Sequence, residues 1–322
     1  MKVMKGLDGL EQLPRGGVIS IGNFDGVHLG HRKLLEVAAS VKAKSARRAT
    51  TVITFEPHPL TVLRPQAVPP RLTPPELKHR LLQDLGVDYL VELAPTRELL
   101  NLTAAAFWKH LLDEAKPSHI VEGTTFTFGK DRGGTVSTLR QWAAEASMEL
   151  HVIDPVQIVL TDMLLVSVSS SITRWLLLNG RVRDAAICGG HPYMLIGKVV
   201  HGMQRGRDLG APTANLEVTE QLVPADGVYA GRCEIEGHTY PAAISIGTNP
   251  TFGDNPRTIE PHLVGFNGDL YGRTLSLEIT DWLRDQETYP TTELLVAQIQ
   301  RDVTETLKRT RDIPQEPVIA MA

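Results

Sequence analysis

Between residues 17 and 186, short unbroken apolar runs alternate with longer stretches whose apolar positions recur every three or four residues. GVISIG is followed by HRKLLEVAASVKAK, TTVITF by TPPELKHRLLQDLG, DYLVEL by LTAAAFWKHLLDEA, and HIVEG by TLRQWAAEA and then ELHVI. The runs predict strands buried on both faces and the recurring pattern predicts amphipathic helices. Together they give βαβ units in a parallel, doubly wound sheet. In the first helix Leu34, Leu35, Ala38 and Val41 share the face expected to cover that sheet. SSSITRWLLLNG predicts a Ser-capped helix with Leu176 and Leu177 inward and Gly180 closing it.

After GGHPY the pattern changes. MLIGKVVHG, GVYAGRCEIEG, HTYPAAISIG, TIEPHLVGF and TLSLEITDWL are strand-like runs separated by Gly, Pro, Asn and Asp turns, which predicts an antiparallel barrel. TTELLVAQIQRDVTETLKR predicts a closing helix with Leu294, Leu295, Ile299 and Val303 on its inner side. Gly189, Gly190 and Pro192 cluster at the change of pattern, so the expected domains are residues 1–186 and 187–322, with no internal repeat.

Composition narrows the class without changing this layout. The 322 residues are 42% hydrophobic and 22% charged, near globular averages, which excludes a disordered or fibrous chain. A net charge of −4 argues against a general nucleic-acid binder but leaves room for a local anion site. Cys188 and Cys233 are too few for a disulfide framework or a zinc cluster. MKVMKGLDGLEQLPRGG has no apolar targeting core, and the most apolar stretch, residues 163–178, is broken by serines and Arg174. A cytoplasmic chain with no membrane partner is expected.

The most informative segment is GNFDGVHLGHRKLL, between a predicted strand and a predicted helix. A chain leaving a parallel strand at its carboxyl end and turning on Gly22 and Gly26 presents helix N-terminal amides to a ligand, and phosphate suits them. His28 and His31, one turn apart, can donate hydrogen bonds to phosphate oxygens or to charge developing at an attacked α-phosphorus. Zinc is the other use of two histidines, but no nearby residue completes a ligand set. TFEPHP ends the next strand at the same sheet edge, where Glu56 and His58 are candidate pocket residues. GTTFTFGKDRGG has the wrong spacing for a Walker A loop yet follows a strand to the same edge. SSSITR places hydroxyls and amides at a helix start beside Arg174, suited to a triphosphate.

In the second half GRDLGAPTANL contains Gly206, Gly210, Thr213 and Asn215. If extended, Thr213 and Asn215 share a face and offer oxygens to Mg2+ beside ATP phosphates. Glu260 and His262 have the same spacing, and Glu260 is expected to point inward as a general base.

Taken in order, GNFDGVHLGH, TFEPHP, FTFGKDRGG, SSSITRWLLLNGRVRDAAICGGHPY, GKVVHGMQRGRDLGAPTANL, SIGTNPTF, IEPHL, DLYGR and LRDQETY resemble the bacterial bifunctional riboflavin kinase/FMN adenylyltransferases along nearly the whole chain. The resemblance implies a Rossmann-like nucleotidyltransferase domain with a parallel sheet, then a flavokinase antiparallel β-barrel with a terminal helix. It implies ATP as co-substrate, Mg2+ as cofactor, riboflavin as substrate, and FMN and FAD as products, with no nucleic-acid partner. By the same resemblance His28, His31 and Glu260 are the catalytic residues. Gly22, Asn23, Phe24, Gly26, Ser170, Arg174, Gly206, Gly210, Thr213 and Asn215 meet ATP, and Thr213 and Asn215 also meet the metal. Pro57, His58, Thr125, Phe128 and Arg284 meet flavin. Three positions depart from the family pattern: Thr125 for Asp or Asn, Ala211 for Phe, and Thr288 for Lys or Arg. These leave two alternatives, a diverged paralogue with one half weakened and a flavin-binding regulator without chemistry.

Overall fold

The computed structural model describes residues 1–45, 48–202, 211–248 and 256–311. They form two compact units, Met1–Pro69 with Pro75–Gln157, and Pro70–Pro74 with Ile158–Ala322. The helices at residues 170–178 and 182–189, expected with the first half, are therefore grouped with the second unit.

The first unit contains strands β1 (Lys2–Lys5), β2 (Val18–Ile21), β3 (Thr50–Phe55), β4 (Tyr89–Leu93), β5 (His119–Gly123) and β6 (Glu149–Ile153). They form one parallel sheet in the order β1-β4-β3-β2-β5-β6. Edge strand β1 is an addition to the sequence expectation, because KVMK carries one buried residue, Met4, and gives no apolar run. Helices α1 (Leu29–Ala43), α2 (Pro75–Asp84), α3 (Ala104–His110) and α4 (Val136–Glu145) connect the strands.

Successive strand residues face opposite sides, so one sheet yields two apolar layers. Ile19, Ile53, Val91 and Ile120 pack with Phe107, Trp108, Leu111 and Leu139. On the other side Val18 and Val121 meet Ala38 and Val41 of α1, with Leu34 packed alongside, as the periodicity predicts. Strand order reverses between β2 and β5, making their carboxyl ends the crevice in which such sheets bind ligands.

The second unit begins with helices α5 (Ser170–Leu178) and α6 (Val182–Gly189). Ser169 caps α5 by accepting a hydrogen bond from Ile172 N–H, Leu176 and Leu177 are fully buried, and Gly180 ends it at φ +71°. A Cβ on Gly180 would lie 2.2 Å from the Trp282 ring, so the turn requires glycine for space as well as for backbone.

Strands β7 (Tyr193–Val200), β8 (Asn215–Glu217), β9 (Gly227–Ile235), β10 (His238–Gly247), β11 (Thr258–Leu263) and β12 (Thr274–Arg284) form an antiparallel sheet in the order β8-β7-β12-β9-β10-β11. Its ends nearly meet: Ala214 N–H donates to Pro261 O at 3.0 Å, and His262 Nδ1 lies 2.8 Å from Pro212 O. The sheet is thus a nearly closed barrel.

Helix α7 (Thr292–Thr310) follows, and of the four residues expected on its inner side Leu295, Ile299 and Val303 are half-buried while Leu294 is exposed. Thr306 is buried on that side, and so is the charged Asp302. The cause is a bidentate pair in which Arg284 of β12 donates to both Asp302 oxygens, at 3.0 and 2.7 Å. Paired in this way a carboxylate can occupy an interior position that hydrophobicity alone would assign to leucine.

Candidate functional sites

In the first unit the chain leaving β2 turns through Gly22–Asn23–Phe24–Asp25–Gly26–Val27 before α1. Phe24, Gly26 and Val27 have φ of +48°, +87° and +39°. A β-branched residue at positive φ is a costly conformation, sustained here by burying Phe24 and Val27 beneath the loop. The result is a fixed turn that presents α1's first amides at the crevice.

His28 is the N-cap of α1, and its Nδ1 accepts the His31 backbone N–H at 3.4 Å. That bond makes Nδ1 the acceptor, so a neutral His28 ring carries its proton on Nε2. The two rings stack with centroids 3.7 Å apart and 16° between planes, and Phe24 lies 4.7 Å from His31. His31 Nδ1 is buried with no partner. Burial, then the charges of His28 and Lys78, push His31 well below its ordinary value. At neutral pH it is a neutral imidazole.

Asn23 and His58 are brought together, Asn23 Nδ2 lying 3.2 Å from His58 Nε2. His58 Nδ1 accepts the Leu60 N–H at 3.1 Å, which ties the ring to the turn that follows it. Thr54 Oγ1 fixes the loop from below by donating to Asn23 O at 3.1 Å. Pro57 lies between His58 and Glu56, and the Glu56 carboxylate is 3.4 Å from Lys78 Nζ.

Lys78 and Glu122 carry no motif and escaped the sequence reading. Lys78 lies on α2 among Glu76, Leu77, His79 and Arg80 in sequence, yet is only 4% exposed. A buried lysine is the available signal, and it is a property of the fold. Glu122, 1% exposed on β5, accepts the Ile21 N–H at 2.6 Å where the ladder between β2 and β5 has ended at Ile19 and Ile120. Burial raises its carboxyl well above the ordinary range, opposed by that one hydrogen bond.

The loop after β5 separates the remaining expected residues. Thr125 is exposed in a turn closed by Phe126 N–H to Gly123 O at 3.0 Å. Phe128 is 8% exposed and belongs to the apolar layer with Phe107 and Trp142, while half-buried Phe126 stacks on it at 5.5 Å. Ser170 begins α5 in the second unit, where Arg174 Nε donates to Pro70 O at 2.7 Å.

In the second unit a cavity of about 480 Å³ is lined by Val199, Gly202, Thr213, Asn215, Pro261 and Tyr271, among others. Thr213 and Asn215 are brought together there, as their spacing predicts. The Asn215 amide lies directly over Gly202, where a Cβ would come within 2.0 Å of its nitrogen, so Gly202 makes the space that side chain occupies. Both side chains offer hard neutral oxygens, which fit Mg2+ as supplementary ligands beside nucleotide phosphates. Gly206 and Gly210 lie outside the described residues.

Glu260 differs from expectation. Ile259, Pro261 and Leu263 turn to the buried side of β11, while Thr258, Glu260 and His262 share the half-buried opposite face. Glu260 therefore does not point into the interior, where an unpaired carboxylate among Ile244, Ile246 and Leu263 would be strongly disfavoured. Thr258 Oγ1 donates to Glu260 Oε1 at 2.9 Å. Opposite Glu260 stands Ser245, whose Oγ accepts from Gln286 Nε2 at 2.9 Å. Arg284 holds Asp302 and lies 5.7 Å from the Tyr289 ring. Of the atypical positions, Ala211 is buried and Thr288 exposed.

Comparison with known proteins identifies the two units. A family model for FAD synthetase matches residues 10–165, and one for riboflavin kinase matches residues 189–310. The chain is 34% identical over 307 residues to the bifunctional riboflavin kinase/FMN adenylyltransferase of Escherichia coli strain K12, covering 94% of this chain and 96% of that one. It is 33% identical over 294 residues to the enzyme of the same name from Listeria monocytogenes, covering 90% and 91%. A solved Streptococcus pneumoniae structure, described as a macrolide-efflux protein, superposes with a TM-score of 0.84 at 30% identity, covering 96% and 99%. Among the described residues no helix is long and apolar enough to cross a membrane. With both catalytic domains present and relatives matched nearly end to end, the chain belongs to the bifunctional riboflavin kinase/FMN adenylyltransferase family.

Proposed function

We propose that the two units divide the two reactions between the residues described above. In the adenylyltransferase unit a phosphate oxygen of FMN attacks the α-phosphorus of ATP, the bond to the bridging α–β oxygen breaks, and pyrophosphate leaves. The nucleophile is already anionic, so the site has no need of a strong base. His28 Nε2–H, neutral His31 and the first amides of α1 act as donors to charge developing on the α-phosphate. Asn23 and His58 orient nucleotide and flavin at the rim. For Ser170 and Arg174 the assignment to the triphosphate rests on resemblance of sequence.

In the kinase unit the 5′-hydroxyl of riboflavin attacks the γ-phosphorus, the γ-phosphorus–oxygen bond to ADP breaks, and Glu260 takes the hydroxyl proton. ATP phosphates are assigned to the cavity beside Thr213 and Asn215, and the flavin to the face that carries Glu260, Ser245 and Gln286. Bound Mg2+ would neutralise phosphate charge there. The proposal includes a cytoplasmic location.

One observation carries this reading: a stacked histidine pair that includes the neutral imidazole of His31 serves one unit and a half-buried carboxylate on a barrel strand serves the other, matching an anionic and a hydroxyl nucleophile respectively. The test is incubation of the purified chain with riboflavin, ATP and Mg2+, with chromatographic separation of riboflavin, FMN and FAD. Riboflavin should be consumed, with FMN preceding FAD. A folded protein that converts neither riboflavin nor supplied FMN supports the flavin-binding regulator instead.

A further inference from the structure

The parallel sheet carries a second cluster of chemistry at the edge opposite the crevice. His119 opens β5 and Glu149 opens β6, and the register pairs His119 with Glu149 and Val121 with His151. Glu149 and His151, two residues apart on a strand, project from one face. The ligand-type atoms of all three residues converge there. His119 Nδ1 lies 3.2 Å from His151 Nε2 and 3.5 Å from Glu149 Oε2, and His151 Nε2 lies 3.7 Å from the same oxygen. Those three atoms form a nearly equilateral triangle. Donors about 2.0–2.1 Å from a tetrahedral zinc ion stand about 3.3 Å from one another, so the triangle already has the dimensions of one face of such a site.

We propose that His119, His151 and Glu149 bind a divalent cation of the zinc class, with the fourth position open to water. The donor set selects the metal: two imidazoles and one carboxylate suit zinc, whereas Mg2+ prefers oxygen ligands and octahedral geometry. It is the only group of three such residues among those described. Two imidazole nitrogens 3.2 Å apart share a proton when no cation is bound, and the cation releases it to solvent. The location gives the cation a task. Strand β6 is an edge strand paired on one side, and the three ligands clip its start to β5, the strand that runs on to the crevice.

The test uses the full-length chain after chelator treatment, with ZnCl2 as the titrant in calorimetry and thermal melting. At zinc about a hundredfold above Kd the melting temperature should rise by about 5–10 °C. Glu149→Gln combined with His151→Ala, both at partly exposed positions, should abolish the rise, while His28→Ala with His31→Ala should retain it. Co2+ in place of zinc should give the intense visible absorption of a tetrahedral site. Absence of zinc uptake at micromolar concentration overturns the proposal. So does a thermal shift that survives the Glu149/His151 change or disappears with the His28/His31 change. If the Glu149/His151 variant does not fold, the cobalt spectrum of the wild-type chain decides, and a weak octahedral spectrum overturns the assignment.

Discussion

In the first unit the groups proposed to meet phosphate are imidazoles and amides on a backbone bent through positive φ at Phe24, Gly26 and Val27. In the second they are neutral oxygens of Thr213 and Asn215 beside a cavity, with Glu260 on the other face of the adjoining strand. The first site is built from a strained turn locked by burial, the second from regular strands and one small residue, Gly202, that leaves space for an amide. On the proposed assignment the difference follows the nucleophile. An anionic phosphate needs donors and positioning, whereas a hydroxyl must also lose a proton.

The sharpest way to break that contrast is to exchange losses between the sites. Replacing His28 and His31 with alanine should stop FMN adenylylation, each lost donor costing on the order of 10²–10³ in rate, while riboflavin phosphorylation continues. Glu260→Gln keeps shape and removes the base, so phosphorylation should fall about 10²–10⁴-fold while FAD still forms from supplied FMN. Each pair of rates is measured on the same preparation. Equal loss of both activities in either variant would sink the division of labour.

What could be read from the sequence follows from how local each feature is. The βαβ alternation, the Ser169 cap and the inward Leu176 and Leu177 are written in spacings of two to four residues, and the structure reproduces them. The proximity of His28 to His31 and of Thr213 to Asn215 was legible because their motifs are contiguous. Glu122 and Lys78 were not, since a buried charge becomes informative only when distant segments enclose it. The burial of Asp302 depends on Arg284, eighteen residues away. The orientation of Glu260 escaped for a related reason: alternation gives two faces but does not say which is interior.

The boundary between the units can be sharpened with fragments. Residues 158–322 retain α5 and α6, whose Leu176, Leu177, Val182 and Cys188 are buried, while residues 187–322 lose the first three. Each large apolar side chain contributes about 1.5–3 kcal/mol when buried, so the shorter fragment should melt well below the longer one. Identical melting would place the helices outside the folded kinase unit. Glu122→Gln probes the first unit with a smaller effect. Its raised folded-state pKa means that wild-type stability from this group is complete below about pH 4.5, the unfolded carboxyl value, and declines as pH rises toward the folded value. The variant should therefore gain stability over wild type more at pH 8 than at pH 5 in denaturant titrations. A pH-independent difference would mean that the carboxyl ionises alike in both states.

The smallest expected effect concerns Thr125, where the family pattern has Asp or Asn. An amide can hold two partners at once, while the threonine hydroxyl is shorter and offers a single donor. If Thr125 were buried, a partner left unpaired would cost about 1–3 kcal/mol. The structure places it exposed in the turn after β5, where water can satisfy whatever the missing side chain leaves open. The penalty then shrinks to the net value of one hydrogen bond, about 0.5–1.5 kcal/mol, or roughly two- to tenfold in rate. Thr125→Asn should accelerate FMN adenylylation within that range and leave riboflavin phosphorylation unchanged, measured as initial rates with saturating ATP. A larger acceleration would mean that the loop closes over the residue when substrates bind. A slower reaction would mean that the turn is fitted to threonine, and the idea of a weakened adenylyltransferase half would have to be dropped.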